Sequence, residues 1–243
     1  MTNCKHCNNP VTSNYCAYCG HAASVKPIDK DYVSREVLEL LDFEKGFFYT
    51  IRELMIRPGK SIRTFISEDR IRLIKPVTFL IFTSLLYTLI AHLFNAEGFF
   101  IENENPSVQK SSIGAINNWV QSNYGYANII MGIFIALCVK LLFRKYKYNL
   151  FEIIVLLCFV MGQGMLLLTV QSLFAGLLST QTFMNMMILV SIIYPTWAIG
   201  QFFDETKAGS YVKALFAYIL GAVLFGIAVV IVGVTADLLI RMF

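Results

Sequence analysis

The sequence predicts an all-α membrane protein with about five transmembrane helices, preceded by amphipathic helices and a small N-terminal Cys4 zinc ribbon. Three observations lead there. Apolar residues make up 56% of the 243-residue chain and charged residues 15%, where soluble domains carry roughly 25% charged residues. The mean hydropathy is +0.61, and the apolar excess is concentrated after Lys75. Four of the six cysteines form two Cys-x-x-Cys pairs near the N-terminus. A soluble fold is thereby excluded for most of the chain. The first thirty residues hold cysteines where a cleavable signal peptide needs an apolar core, so the run from Pro76 is expected to serve as an uncleaved anchor.

Three parts follow in order. Residues 1–22 form the zinc ribbon, 23–75 a basic amphipathic helical connector, and 76–243 the transmembrane domain. In the ribbon, Cys4-Lys5-His6-Cys7 is separated by eight residues from Cys16-Ala17-Tyr18-Cys19. Each pair closes a tight knuckle that aims two thiolates at one point, and two knuckles complete a tetrahedron around a metal. Gly20 and Asn8 follow the knuckles, where a left-handed backbone is often required. The expected cofactor is structural Zn2+, held by Cys4, Cys7, Cys16 and Cys19. About twenty residues cannot build a core without it. Iron in the same cage and thiol redox chemistry stand as alternatives; an intracellular setting disfavours the second. His6 and His21 read as solvent-exposed. Four thiolates leave no open coordination position, so catalysis at the metal is not expected.

The connector shows apolar stripes at helical spacing. These are Val33, Val37, Leu38 and Leu41, then Phe47, Phe48, Ile51, Leu54 and Met55, then Ile62, Phe65 and Ile66. Pro58 suits the first turn of a helix. Arg52, Arg57, Lys60, Arg63, Arg70, Arg72 and Lys75 outnumber the acidic residues around them. A basic amphipathic segment just before a span fits binding to an anionic membrane surface. Docking of the same helices on the protein's own membrane domain is an equal reading.

Five apolar stretches lie near 77–95, 127–143, 150–177, 184–203 and 213–240, where a span requires roughly 20 residues with a range of about 17–25. Pro195 falls inside the fourth and is expected to kink it. With the N-terminus inside, 18 of the 20 Lys and Arg residues face the cytoplasm and only Lys110 and Arg241 face out, as the positive-inside rule demands. An odd span count then places the C-terminus outside. In the outer loop 96–126, Ile113, Ile116 and Val120 suggest a short surface helix. Glu152 and Gln163 are the candidate intramembrane polar residues. Interfacial anchoring for Glu152 and an interhelical hydrogen bond for Gln163 are the plainer readings. Ala222-x-x-x-Gly226 reads as a helix-packing face.

One resemblance rests on particular residues. The ribbon with Tyr15-Cys16-x-x-Cys19-Gly20, then Thr50-x-x-Glu53-Leu54, Arg57-Pro58-Gly59, and Arg70 followed by Lys75-Pro76-x-x-Phe79-Leu80 resemble an uncharacterised family of bacterial membrane proteins. That family is common in the Bacteroidetes and combines a zinc-ribbon head with a domain of unknown function. The resemblance spans roughly residues 4–95. It implies a bacterial inner-membrane protein and no particular activity. The five-span layout is also similar to that of Yip1-like membrane proteins.

The residues favour a scaffold or adaptor whose ribbon contacts a cytoplasmic protein. A transporter, channel or lipid-handling protein is the alternative. Clustered His, Asp or Glu of the kind an enzyme shows near one interface are lacking, so enzymatic activity is not expected. The expected partners are the lipid bilayer and a cytoplasmic protein, with a homo-oligomer left open. Nucleic acid is not expected, because residues 1–22 carry a single cation, Lys5.

Overall fold

The computed structural model describes residues 2–4, 7, 9–11, 16–19, 46–94 and 112–242. Two compact units separate, Met1–Lys45 and Gly46–Phe243. The boundary divides the segment read as a single connector. Its first stripe, Val33 to Leu41, lies outside the described residues, as does the first half of the outer loop, 96–111. Residues 46–75 belong to the larger unit.

In the smaller unit, β1 (Thr2–Asn3) and β2 (Pro10–Val11) pair antiparallel, with Thr2 opposite Val11 and Asn3 opposite Pro10. This ladder brackets the first knuckle. The Cys4 amide donates to the Asn9 carbonyl at 2.8 Å and closes it.

The larger unit is all helical among its described residues. Its helices are α1 (46–56), α2 (Pro58–Ser67), α3 (Pro76–Leu93), α4 (Ser112–Ser122), α5 (Tyr124–Leu142), α6 (Leu150–Ser172), α7 (Thr180–Asp204) and α8 (Ala208–Met242). Four of them, α3, α6, α7 and α8, are long and apolar enough to cross a membrane, and α5 is a shorter apolar helix. The chain is thus an α-helical membrane protein.

Local chemistry explains the helix starts. Pro58 and Pro76 occupy the first turns of α2 and α3, where a missing N–H costs nothing. Asn149 caps α6, accepting from the Glu152 amide at 2.9 Å, while Glu152 Oε2 accepts from the Asn149 amide at 2.7 Å. This reciprocal pair is a capping box. Glu152, read as a candidate intramembrane polar residue, thus places one carboxylate oxygen on the helix's own backbone at its start. Ser179 caps α7 through the Thr182 amide, and α7 runs on through Pro195 as one helix. The turn between α5 and α6 is closed by Lys147 at φ 59° and by the Lys140 ammonium, which donates to the Tyr148 carbonyl.

Packing sorts the spans. Most of α6 is buried, against α3, α5 and α7, whereas α8 leaves most of its apolar surface exposed. An apolar surface of that extent on a span is the part a bilayer covers. Glycines set the closest approaches. A Cβ on Gly221 of α8 would stand 2.5 Å from the Cα of Ile135 in α5, and one on Gly233 would stand 3.0 Å from the Cα of Ile113 in α4. Gly226 has open space around it. The packing face of α8 is therefore Ala217-x-x-x-Gly221, with Ala217 fully buried, and not the expected Ala222-x-x-x-Gly226. The third apolar stretch ends early as a helix: α6 stops at Ser172, and Gln171 Nε2 donates to the Phe183 carbonyl at 2.9 Å, tying the following turn to α7.

Candidate functional site

In the smaller unit the sulfurs of Cys4, Cys7, Cys16 and Cys19 all lie within 4.8 Å of one another. The Cys4–Cys19 and Cys7–Cys16 pairs are each 3.5 Å apart. A tetrahedral thiolate cage with Zn–S near 2.3 Å requires sulfurs about 3.8 Å apart, and a disulfide about 2.05 Å. The spacing matches the cage and is too long for a disulfide. Backbone N–H groups of Cys19 and Tyr18 donate toward Cys16 and hold its thiol below its ordinary value, which favours the thiolate a metal needs. Asn9 Nδ2 approaches Cys7 Sγ at 3.6 Å. The four residues can hold one metal ion. With four thiolate ligands such a site is closed.

In the larger unit the juxtamembrane residues form a latch. Thr50 is fully buried. Its hydroxyl donates to the Gly46 carbonyl at 2.7 Å and accepts from the Ile74 amide at 3.1 Å, which fastens α1 to the strand of chain entering α3. Glu53 is 7% exposed. Its carboxylate accepts from Arg57 Nε at 2.8 Å, from Arg57 Nη2 at 2.9 Å and from the Ser61 hydroxyl at 2.8 Å, bridging α1 and α2. These donors, Arg57 foremost, hold the Glu53 carboxyl below its ordinary value. The Leu54 carbonyl accepts from the Tyr194 hydroxyl of α7 at 3.1 Å. Gly59 lies against the α7 backbone: a Cβ there would meet the Gln201 carbonyl carbon at 2.4 Å. Its amide donates to Gln201 Oε1 at 2.7 Å. Arg63 Nη1 donates to the carbonyls of Gln201 at 2.5 Å and Phe202 at 2.8 Å, which lie in the last turn of α7.

These contacts realise the second of the two readings of the amphipathic helices: α1 and α2 dock on the protein's own spans. Two of the seven residues read as headgroup contacts have partners within the protein. Arg63 is committed to helix carbonyls, where a cation satisfies acceptors that have no helical donor, and Arg57 is committed to Glu53. Arg70 donates locally to the Ile66 carbonyl at 3.2 Å, and Arg72 pairs with Asp69 at 3.0 Å. Arg52, Lys60 and Lys75 are exposed.

Three of the seven, Arg57, Lys60 and Arg72, line one cleft of about 220 Å3 together with Tyr49, Glu53, Ser61, Thr64, Phe65, Asp69 and Leu73. Gln201 and Tyr194, which complete the latch, were not singled out from the sequence. Each is about 140 residues from its partner, and nothing local marks either one.

Gln163 is 1% exposed, and its Oε1 has no hydrogen-bond partner among the described residues. It lies eleven residues from Glu152 on α6, roughly 16 Å along the axis, so the two do not form one site. Beside it, Gly164 opens onto a cavity of about 30 Å3 shared with Asn128, Ser191, Pro195 and Tyr218.

A family model described as "Protein of unknown function (DUF3667)" matches residues 44–88. The match fits the resemblance to an uncharacterised family. It contains Thr50, Glu53, Leu54, Arg57, Pro58, Gly59, Lys75 and Pro76, and every residue lining the 220 Å3 cleft. The cysteine module lies outside it. No curated protein and no solved structure matches the chain.

Proposed function

We propose that this protein is a scaffold of the bacterial inner membrane whose cysteine module, loaded with structural Zn2+, contacts a cytoplasmic protein. The convergence of Cys4, Cys7, Cys16 and Cys19 within 4.8 Å carries the reading. A closed tetrahedral site organises a short chain into a contact surface and leaves no position for water or substrate. The proposed role is accordingly non-enzymatic. The helical bundle supplies the anchor, and the latch of α1 and α2 onto α7 gives the anchor a rigid juxtamembrane end.

Metal analysis and in-cell crosslinking of the full chain test this together. Purified wild type should carry about one zinc per chain, the stoichiometry of a four-thiolate site. Replacing Cys4, Cys7, Cys16 and Cys19 by Ser should abolish the zinc and deplete a defined set of crosslinked proteins, while the variant still reaches the membrane. Identical crosslinked sets in both forms would rule out the adaptor role. Iron in place of zinc would revise the cofactor alone.

A further inference from the structure

The 220 Å3 cleft belongs neither to the cysteine module nor to the contacts that hold α2 on α7. We infer that it is a binding site for the phosphate headgroup of an anionic phospholipid, with Lys60 and Arg72 as its principal ligands.

The lining carries the argument. Three cations, Arg57, Lys60 and Arg72, stand over two carboxylates, Glu53 and Asp69. Both oxygens of Glu53 are occupied by Arg57 and Ser61, so this carboxylate neither repels nor competes for an incoming anion at full strength. Arg57 gives only part of its five-donor fork to Glu53. In the Arg72–Asp69 pair Arg72 is exposed and Asp69 half-buried, and pairs near the surface are worth little in water; Arg72 can turn to a better partner. The Lys60 ammonium has no ion pair among the described residues. Tyr49 and Thr64, which also line the cleft, carry hydroxyl groups. Lysine, arginine and hydroxyl donors around one small space make a phosphate site.

A lipid is the source that the surroundings favour. The cleft lies in the segment that leads directly into the span α3. Ile71, between the lining residues Asp69 and Arg72, is 92% exposed, and Phe48 and Ile56 of α1 also project outward. Cations beside outward apolar side chains are the arrangement of an interfacial segment. The volume is below the roughly 300–1,000 Å3 of pockets that enclose a drug-sized solute. It suits a headgroup whose acyl chains remain in the bilayer.

The test uses the full chain in nanodiscs and in detergent, with short-chain phosphatidylglycerol, phosphatidylcholine and inorganic phosphate as probes, read by native mass spectrometry and titration. Wild type should retain phosphatidylglycerol over phosphatidylcholine. Lys60→Ala and Arg72→Ala should each weaken it about tenfold, the scale of one charge-assisted hydrogen bond. Lys60→Arg should keep most of the binding. Lys145→Ala, which removes an exposed cation from the turn between α5 and α6, should leave it unchanged. Apparent melting temperatures of all variants should stay near wild type, since Lys60, Arg72 and Lys145 are exposed. Equal weakening by Lys145→Ala would reduce the effect to general charge and overturn the site. No weakening by Lys60→Ala or Arg72→Ala would overturn it as well. Displacement of the lipid by equimolar inorganic phosphate would reassign the cleft to a soluble phosphate ligand and overturn the lipid assignment. None of these outcomes depends on the cysteine module.

Discussion

Glu53 accepts three hydrogen bonds while almost excluded from solvent, and its ionisation is tied to the fold. Its carboxyl is held below the ordinary value of 4.5 in the folded chain. The unfolded chain therefore binds a proton at a pH where the folded one does not. The sign follows from linkage: the stabilisation is present above about pH 4.5 and fades as the pH falls through the folded value. Glu53→Gln keeps the size of the side chain but loses the charge. At neutral pH it should lower stability by about 1.5–3 kcal/mol, the range for hydrogen bonds to a charged group. Thermal unfolding in detergent, followed against pH, should show the gap between wild type and Glu53→Gln narrowing below pH 4.5. A gap that is constant down to acid pH would mean that the carboxylate charge contributes nothing to the latch. The cysteines are the other residue-scale feature, and there the chemistry was legible directly. Spacing alone singled out the four cysteines that converge within 4.8 Å, because two knuckles permit few geometries.

At the scale of elements, glycines separate helix faces that hydropathy leaves equivalent. The packing of α8 is the clearest case. The helix is apolar on all sides, so a single sequence does not say which of its small residues meets a neighbour; Ala222-x-x-x-Gly226 and Ala217-x-x-x-Gly221 are equally plausible stripes. The partner decides, and the partner is the backbone of α5 at Ile135. Gly221→Ala should therefore be destabilising by about 1–3 kcal/mol, as overpacking against a backbone is. Gly226→Ala, with open space around it, should be neutral or slightly stabilising, since Ala is the better helix former by about 1 kcal/mol. Parallel melts of the two variants check the register, and the reverse order would return the packing face to Gly226. Gly59→Ala should behave like Gly221→Ala, because its Cβ would meet the α7 backbone. The docking of α2 shows the same limit on legibility. Its amphipathic stripe of Ile62, Phe65 and Ile66 was plain from spacing; Ile62 and Phe65 are buried and Ile66 is half-buried. That the buried face meets α7, with Gln201 as receiver, depends on a partner some 140 residues away.

For the whole molecule, several long-range contacts converge on one end of the bundle. Arg63 reaches the carbonyls at the end of α7. Phe143, after α5, stacks on Phe203 at 3.9 Å, and Tyr148, before α6, lies 4.8 Å from Phe202. The start of α3, the turn between α5 and α6 and the turn between α7 and α8 thus share this end. Lys60, Arg63, Arg70, Arg72, Lys75, Lys140, Arg144, Lys145, Lys147, Lys207 and Lys213 sit on the segments that meet there. At the opposite end the Ser112 amide donates to Asp237 at 2.9 Å, joining α4 to α8. Such segregation of cations predicts that the first end faces the cytoplasm. The shorter apolar helix α5 decides the rest. Its 19 residues extend about 28 Å, close to the roughly 30 Å hydrocarbon core, so it is long enough to cross with little mismatch. If it crosses, α4 and the cationic turn after α5 lie on opposite sides, and Phe243 lies outside. Alkaline phosphatase, active only outside the cytoplasm, should then be active when fused within α4 or after Phe243. It should be inactive when inserted before Gly46, at Lys145 or at Thr206. Activity at Lys145 together with inactivity in α4 would invert the orientation. Equal readings at α4 and Lys145 would make α5 a helix that does not cross, leaving α3, α6, α7 and α8 as the spans.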